Sequence, residues 1–151
     1  MRYLALILGI FGLEFKLKNR IEESVVQGNE KPVLKNTLLI RKYHNTGAFL
    51  DAGHDKPGAV LILSVLLTAI LTVIFVLSLG MAGGRMLKWG LSFLLGGAYS
   101  NTYDRLVRKY VVDYVSFNLP VKWLRRIVFN IADFCIMLGA LLCVAGYYFD
   151  G

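Results

Sequence analysis

The stretch AVLILSVLLTAILTVIFVLSL, residues 59–79, decides the architecture of this chain, because it runs for 21 residues without a charged side chain. As a helix that rises about 1.5 Å per residue it would reach about 31 Å, which matches the roughly 30 Å hydrocarbon core of a bilayer. An uninterrupted apolar run of this length predicts a membrane-spanning helix.

Three further apolar blocks accompany this run. Residues 127–149 hold one acid, Asp133, near their start, and residues 87–106 are rich in glycines (Gly90, Gly96 and Gly97) that would allow close helix approach. The first block is short enough for a signal peptide, but no small-residue cleavage site follows, so we expect a retained helix. The sequence predicts an all-α integral membrane protein, one domain over residues 1–151, with four transmembrane helices at about 1–18, 58–79, 87–106 and 127–149.

Two longer loops lie on one side of these helices. Residues 19–56 contain a stretch rich in β-forming residues, VLKNTLLIRKY (33–43), so we expect a small β-rich platform between the first and second helices. Residues 107–126 form the second loop. Of the 17 basic residues, all but Arg2, Arg85 and Lys88 lie on the side of these loops. The positive-inside tendency therefore favours cytoplasmic loops.

The composition is both apolar and basic. Hydrophobic residues make up 56% of the chain, the mean hydropathy is +0.57, and the net charge is +7. Such an apolar chain is not disordered. A basic balance alone would fit nucleic acid or an anionic membrane surface. Because the apolar residues form long blocks with the charges between them, we expect membrane lipids as partners and no nucleic acid.

Histidine and cysteine give no sign of a metal or cofactor. His44 and His54 are not spaced like ligands. Cys135 and Cys143 lie in one apolar run, about 12 Å apart along a helix, which is too far for a disulfide. We therefore expect no metal and no cofactor.

Two aspartates stand out, because an ionisable group in a membrane span costs about 3 kcal/mol. Asp113, in YVVDYVSF, has no basic residue within three positions, and Asp133, in VFNIADFCIM, has Asn130 on the same helical face. Each alone could be a polar contact between helices or a proton carrier. If they face each other, they would share one proton, which is the chemistry of an aspartic peptidase.

A third aspartate, Asp104, has partners nearby in sequence. In NTYDRLVR, a spacing of four places Asp104 beside Arg108 and Asn101 beside Arg105 if the helix continues. For Asp104 we favour an ion pair at the end of the helix over a catalytic role.

Four short segments together resemble the lipoprotein signal peptidase family, also called signal peptidase II. They are NTGAF (45–49), GGAYSNTYDR (96–105), VVDYVSF (111–117) and FNIAD (129–133), in the family's order. The resemblance implies a membrane aspartyl protease whose catalytic dyad is Asp113 and Asp133. The residues that it implies shape the site or hold the substrate are Asn45, Gly47, Asn101, Asp104, Arg105 and Asn130, with Glu14 and Lys18 at the end of the first helix.

The same resemblance implies a substrate and a location. The substrate would be a prolipoprotein whose cysteine carries diacylglycerol, cut just before that cysteine. The enzyme would be a monomer in the bacterial cytoplasmic membrane, with the dyad near the outer face, both loops outside and both termini cytoplasmic. This orientation opposes the count of basic residues, and we prefer it because that count is a statistical bias. An aromatic belt at the lipid boundary would comprise Tyr110, Tyr114, Phe117 and Trp123.

Some positions depart from the family's pattern. Glu14 stands where the family usually has Asp four residues before Lys, here Lys18, and Phe49 follows Ala48 where a small residue is usual. These departures leave open a divergent paralogue that binds lipoprotein signal peptides or a partner helix without cleavage. A transporter that carries protons on Glu14 and Asp133 is the other alternative, disfavoured because four helices without an internal repeat are few for a transporter.

Overall fold

The computed structural model describes residues 1–48 and 52–149, and at 122 and 123 it describes the backbone alone. Five helices and three strands make up this part of the chain. In chain order they are α1 (Arg2–Ser24), β1 (Lys31–Val33), β2 (Leu38–Asn45), α2 (Pro57–Leu79), α3 (Arg85–Val107), β3 (Val111–Phe117), α4 (Lys122–Arg126) and α5 (Ile131–Phe149). The prediction of a mainly helical protein with a small sheet is confirmed.

Helices α2 and α5 are long and apolar enough to cross a membrane, and among the helices of the described residues these two meet both conditions. Their apolar side chains are largely uncovered: Ile62 and Leu77 of α2 and Leu141 of α5 are all more than half exposed. Apolar surface on this scale is typical of a face that contacts lipid or another protein. Helices α1 and α3 have 23 residues each, as α2 does, but carry several charges. Composition therefore identifies two of the four expected spans.

Helix α3 is central, because α1, α2 and α5 all pack against it. Its glycines allow the close approach that the sequence predicted. A Cβ on Gly90 would lie 2.7 Å from Cys143 Sγ of α5, and one on Gly96 would lie 2.8 Å from Ile10 Cβ of α1. The helix backbones thus occupy the space that larger side chains would need.

Helix α1 ends later than expected, at Ser24 instead of near Lys18. Its buried residues, Ile7, Ile10, Glu14 and Lys18, recur every three or four positions and form one stripe. Half-buried Ile21 continues the stripe, so the helix continues past the end of its apolar segment. The β-rich region therefore begins further along the chain than residue 19.

A three-stranded antiparallel sheet has β2 in the middle, between β1 and β3. Strands β1 and β2 come from the region between α1 and α2, as expected. The third strand, β3, lies in residues 107–126, for which the prediction was a loop. Its sequence VVDYVSF is rich in β-branched and aromatic residues, the pattern that indicates a strand. The platform is thus built from both loops.

Strand β3 also holds the segment that enters α5. The N–H of Phe129 donates to the carbonyl oxygen of Val115 at 2.7 Å, and the N–H of Val115 donates to the carbonyl oxygen of Phe129 at 2.8 Å. This isolated bridge places the first turn of α5 next to Asp113 on the strand.

Candidate active site

The sheet presents Asp113 and Asn45 on one face. Between β2 and β3, Asp113 lies opposite Tyr43 and Asn45 lies opposite Val111. Alternation along each strand directs the side chains of Asp113 and Asn45 to the same side. Asn45 Nδ2 donates to Asp113 Oδ2 at 2.9 Å. The amide cannot easily turn, because Asn45 Oδ1 accepts the N–H of Gly47 at 2.9 Å.

The start of α5 holds Asp133. Asn130 Oδ1 accepts the backbone N–H of Asp133 at 2.9 Å, and Asp133 Oδ2 accepts the backbone N–H of Asn130 at 3.0 Å. This reciprocal pair is a capping box, in which each side chain satisfies an N–H that the helix leaves unpaired. The local sequence FNIAD therefore both starts the helix and orients the carboxylate.

Asn130 also joins the two aspartates, which we call the aspartate pair. Asn130 Nδ2 donates to Asp113 Oδ1 at 2.6 Å and lies 3.3 Å from Asn101 Oδ1. Asn101 Nδ2 donates to Asp133 Oδ1 at 2.9 Å. Each of the four carboxylate oxygens of the aspartate pair thus accepts a hydrogen bond from an amide that is itself held in place.

A buried ion cluster of Glu14, Lys18 and Asp104 lies behind Asn101. Lys18 Nζ is 3.0 Å from Asp104 Oδ2 and 3.5 Å from Glu14 Oε2. It also donates to Asn101 Oδ1 at 2.9 Å and to Ser100 Oγ at 3.0 Å. Lys18 is 1% exposed and Glu14 is fully buried, so these charges depend on one another for compensation. Lys18 thereby orients the amide of Asn101 so that its Nδ2 faces Asp133.

Asp104 forms the ion pair at the end of α3 that its spacing predicted. Its Oδ1 lies 3.0 Å from Arg108 Nε, four residues later. Its Oδ2 accepts the N–H of Val112 at 3.2 Å. Asp104 therefore ties α3 both to α1 and to the strand that carries Asp113.

Arg105 holds the segment that follows β2. Its Nη2 donates to the carbonyl oxygen of Gly47 at 2.7 Å, and its Nη1 donates to the carbonyl oxygen of Asn101 at 3.4 Å. Its Nε is buried and has no acceptor among the residues that the structure describes. One guanidinium donor beside the aspartate pair is therefore unused within this part of the protein.

An apolar cavity of about 430 Å³ lies beside the aspartate pair. Helices α2, α3 and α5 line it with side chains such as Leu67, Leu94 and Ile136, and the aspartate pair and Arg105 contribute its polar wall. A cavity of this size and character is typical of a ligand site, with apolar walls and a few convergent polar groups.

Asp113 is 2% exposed. Burial and the nearby charge of Asp133 raise the pKa of Asp113 to about 7, against the opposing effect of the hydrogen bonds from Asn45 and Asn130. Two carboxylates in one buried site share a proton more readily than both ionise. The aspartate pair therefore retains a proton up to about pH 7.

The structure brings the residues singled out from the sequence into this one region. Around the aspartate pair they are Asn45, Asn101 and Asn130, in the ion cluster they are Glu14, Lys18 and Asp104, and beside the cavity they are Gly47 and Arg105. Phe49, at which the sequence departs from the family's pattern, lies outside the described residues.

The prediction for Tyr114 is wrong. We expected it in an aromatic belt at the lipid boundary, but it is 4% exposed and its hydroxyl donates to Glu14 Oε1 at 2.5 Å. Alternation along β3 directs Tyr114 away from the face that carries Asp113 and towards α1. Both faces of β3 are largely buried, so alternation places Tyr114 on the side opposite Asp113 but does not by itself predict its burial.

Solved structures share this fold. A bacterial membrane enzyme determined by the in meso method at 2.3 Å resolution matches with a TM-score of 0.79, covering 97% of this chain and 87% of that chain at 21% identity. A second structure of a bacterial membrane enzyme, at 1.9 Å resolution, matches with a TM-score of 0.78, covering 99% and 94% at 21% identity. The fold is therefore that of a bacterial membrane enzyme.

Sequence comparison gives the family. The family model for signal peptidase (SPase) II matches residues 6–149. The lipoprotein signal peptidase of Clostridium tetani (strain Massachusetts / E88) is 32% identical over 117 residues, which cover 78% of this chain and 73% of that protein. The chain belongs to the signal peptidase II family, and it is accordingly a protease.

Proposed function

We propose that this protein is an aspartic endopeptidase that removes signal peptides from diacylglyceryl-modified prolipoproteins by cutting just before the lipidated cysteine. The observation that carries the proposal is the aspartate pair, in which Asp113 and Asp133 come from different elements and are joined by Asn130 beside an apolar cavity. The name of the Clostridium tetani relative, lipoprotein signal peptidase, supports the substrate class.

The aspartate pair would act through its shared proton. The ionised carboxylate takes a proton from a water molecule, whose oxygen attacks the scissile carbonyl carbon, while the protonated carboxyl donates its proton to the carbonyl oxygen. When the resulting diol collapses, the first carboxyl gives its proton to the departing nitrogen and the C–N bond breaks. The second carboxylate takes a proton back from the diol, so the pair returns to its starting state.

The surrounding amides would keep both carboxylates in place during these steps. Asn45, Asn101 and Asn130 each donate to the pair, and each is itself fixed by another hydrogen bond. Groups that are already oriented need not reorganise as charge moves in the transition state.

Arg105 would bind the backbone of the substrate. It lines the cavity, and its buried Nε has no acceptor among the described residues. A peptide carbonyl oxygen in the cavity would accept a hydrogen bond from the Arg105 guanidinium, and such a bond is stronger than one between neutral groups. Through its bond to Gly47, Arg105 would also hold the wall of the site against the substrate.

The position of the aspartate pair supports proteolysis at the membrane surface. Asp133 lies in the first turn of α5, at the end of the helix that meets the sheet. A cysteine that carries diacylglycerol stays anchored in the bilayer, so a protease acting there needs its dyad at the lipid boundary. We propose that the protein is a monomer and that its helices α1, α2, α3 and α5 span the cytoplasmic membrane. The sheet would lie on the outer side of the membrane, and both termini would lie in the cytoplasm.

A cleavage assay tests the function. The purified protein in detergent, given a diacylglyceryl-modified prolipoprotein, should release a product that begins at the lipidated cysteine, as read by mass spectrometry. Asp113→Asn and Asp133→Asn should each abolish this product while leaving the protein folded. Asp55→Asn is the matched control and should keep full activity, because Asp55 is largely exposed and pairs with His54.

Full activity in either variant of the aspartate pair would show that the dyad is assigned wrongly. Binding of the substrate by wild-type protein without any product would favour the paralogue that binds without cleaving.

Labelling of single cysteines tests the orientation. In a background with Cys135→Ala and Cys143→Ala, Lys35→Cys in the exposed turn between β1 and β2 should react with a membrane-impermeant maleimide in intact spheroplasts. Met81→Cys, between α2 and α3, should react only after permeabilisation, since Met81 is exposed at the other end of the bundle. The reverse pattern would overturn the proposed orientation.

A further inference from the structure

The hydroxyl of Tyr114 lies where β3, α1 and α5 meet. It donates to Glu14 Oε1 at 2.5 Å and accepts the backbone N–H of Ile131 at 3.3 Å. Tyr114 directly follows Asp113 in β3, and Ile131 is the first residue of α5, two positions before Asp133. One hydroxyl therefore contacts α1 and the helix of one aspartate from a position adjacent to the other aspartate.

These contacts close a ring through the ion cluster. Glu14 contacts Lys18 at 3.5 Å, Lys18 donates to Asn101 at 2.9 Å, and Asn101 donates to Asp133 at 2.9 Å. The backbone of α5 connects Asp133 to Ile131, two residues earlier, and the N–H of Ile131 donates to the hydroxyl of Tyr114. Because Glu14 and Lys18 are buried, a donor lost from the ring leaves an unsatisfied group that solvent does not readily reach.

The hydroxyl is not required to fill space. A phenylalanine ring would occupy nearly the same volume, and a buried phenol is unfavourable unless its hydroxyl finds partners. Burial and the charge of Glu14 raise the pKa of Tyr114 above its ordinary value. The hydroxyl therefore remains protonated and remains a donor at any physiological pH.

We propose that Tyr114 is a positioning residue, whose hydroxyl sets the placement of Asp113 relative to Asp133 by linking β3 to α5 and to the buried Glu14–Lys18 pair. The inference rests on the proposed peptidase function. Tyr114 is not among the described residues that line the cavity. Loss of its hydroxyl therefore affects turnover and leaves substrate binding almost unchanged.

The variant Tyr114→Phe tests this role in the cleavage assay, with Tyr99→Phe as the matched control. The hydroxyl of Tyr99 shares a hydrogen bond of 2.7 Å with Thr72 Oγ1 between α3 and α2, outside the ring. Tyr114→Phe should lower kcat about tenfold and keep KM within about twofold, because a small displacement of the catalytic groups is enough for such a loss. Tyr99→Phe should keep kcat, although it too loses a hydrogen bond that joins two elements.

Glu14→Ala provides the second arm. It removes one of the two partners of the Tyr114 hydroxyl, so adding Tyr114→Phe to it should lower kcat by a smaller factor than Tyr114→Phe does in the wild-type protein. It also leaves the charge of Lys18 less compensated, and that charge lowers the pKa of Asp113. The basic limb of the pH profile of kcat/KM should therefore move to lower pH in Glu14→Ala.

Each outcome decides the proposal. If Tyr114→Phe has the same kcat as Tyr99→Phe, or if the losses from Tyr114→Phe and Glu14→Ala multiply in the double variant, the positioning role is wrong. If Tyr114→Phe does not fold, comparison of Glu14→Ala with Glu14→Gln decides, because both remove the charge beside Lys18 and only glutamine keeps an acceptor for the Tyr114 hydroxyl. A lower kcat in Glu14→Ala at constant KM supports the role, and equal kcat values contradict it. Wild-type protein that cleaves no prolipoprotein contradicts the proposed function instead.

Discussion

Asn130 donates a hydrogen bond of 2.6 Å from its side-chain amide to Asp113 Oδ1. The oxygen of the same amide caps the helix that carries Asp133. The start of α5 and the geometry of the aspartate pair therefore depend on one side chain, in which the oxygen serves the helix and the nitrogen serves the site.

Asn130→Asp should separate these two roles. Aspartate caps a helix about as well as asparagine, so α5 should keep its start, although a third buried carboxylate beside the aspartate pair should lower the melting temperature. The donor to Asp113 is replaced by a carboxylate oxygen, which repels the charge on Asp113, so we expect cleavage to fall at least about 100-fold. Asn118→Asp is the control, because Asn118 donates to the carbonyl oxygen of Asn36 at the surface of the sheet. If Asn130→Asp keeps more than half of the wild-type activity, the hydrogen bond from Asn130 to Asp113 is not needed for cleavage.

Activity should decline as the pH rises through about 7, because the aspartate pair then loses its shared proton. Burial and Asp133 raise the pKa of Asp113 to about 7, and the hydrogen bond from Asn45 acts to lower it by stabilising the ionised form. In Asn45→Ala the pKa of Asp113 should therefore rise further. The basic limb of the kcat/KM profile should move to higher pH, whereas Asn118→Ala should leave it in place. A limb that moves to lower pH would show that Asn45 does not stabilise the carboxylate.

Stability should also depend on Asp113. Its pKa is about 7 in the folded protein, against roughly 3.9 in an unfolded chain, so the folded state binds the proton more tightly. The contribution to stability is complete below the unfolded value and is lost as the pH rises towards 7, at up to about 1.4 kcal/mol per pH unit. Asp113→Asn carries no charge, so it should melt at a higher temperature than wild type at pH 8 and at a similar one near pH 4. Equal melting at pH 8 would contradict the raised pKa.

Gly97→Ala should disturb both packing and catalysis. A Cβ at Gly97 would overlap the carbonyl oxygen of Ala132 and lie 2.8 Å from Ile136 Cγ1, both in α5. Ala132 directly precedes Asp133, so separation of α3 from α5 moves the carboxylate. We expect a loss of about 1–3 kcal/mol in the free energy of unfolding together with a lower kcat. Gly12→Ala is the control, since a Cβ there meets nothing within 4 Å. Equal stability of the two variants would contradict the close packing of α3 on α5.

A pair of threonines should couple α2 to α3. Thr68 Oγ1 and Thr102 Oγ1 share a hydrogen bond of 2.9 Å, and both residues are buried. Comparison of Thr68→Val, Thr102→Val and the double variant by unfolding in detergent should give a coupling energy of about 0.6 kcal/mol. Thr68→Val combined with Ser92→Ala should be additive, because the hydroxyl of Ser92 bonds within its own helix. A coupling energy of zero for the threonine pair would show that this hydrogen bond does not couple α2 to α3.

Most of the features of the fold and the site that the sequence predicts follow from local sequence patterns. The uncharged run at 59–79 predicts α2 almost to the residue, because a long apolar segment has one favourable arrangement in a membrane. The segment FNIAD predicts contact between Asn130 and Asp133, since residues three apart at a helix start can cap each other. Strand β3 was missed, although its residue types indicate a strand, because its partner β2 lies far away along the chain.

The sequence by itself determined the mainly helical fold and the position of α2, and it singled out the two aspartates that the structure brings into one site, because hydrophobic periodicity, spacing and family motifs are all properties of short segments. Only the tertiary structure decided which distant groups meet. The bond between Tyr114 and Glu14 joins residues 100 positions apart, and the bond between Asn45 and Asp113 spans 68. Such contacts depend on sheet register and helix packing. These bring together groups whose local sequence does not indicate which distant residue they will contact.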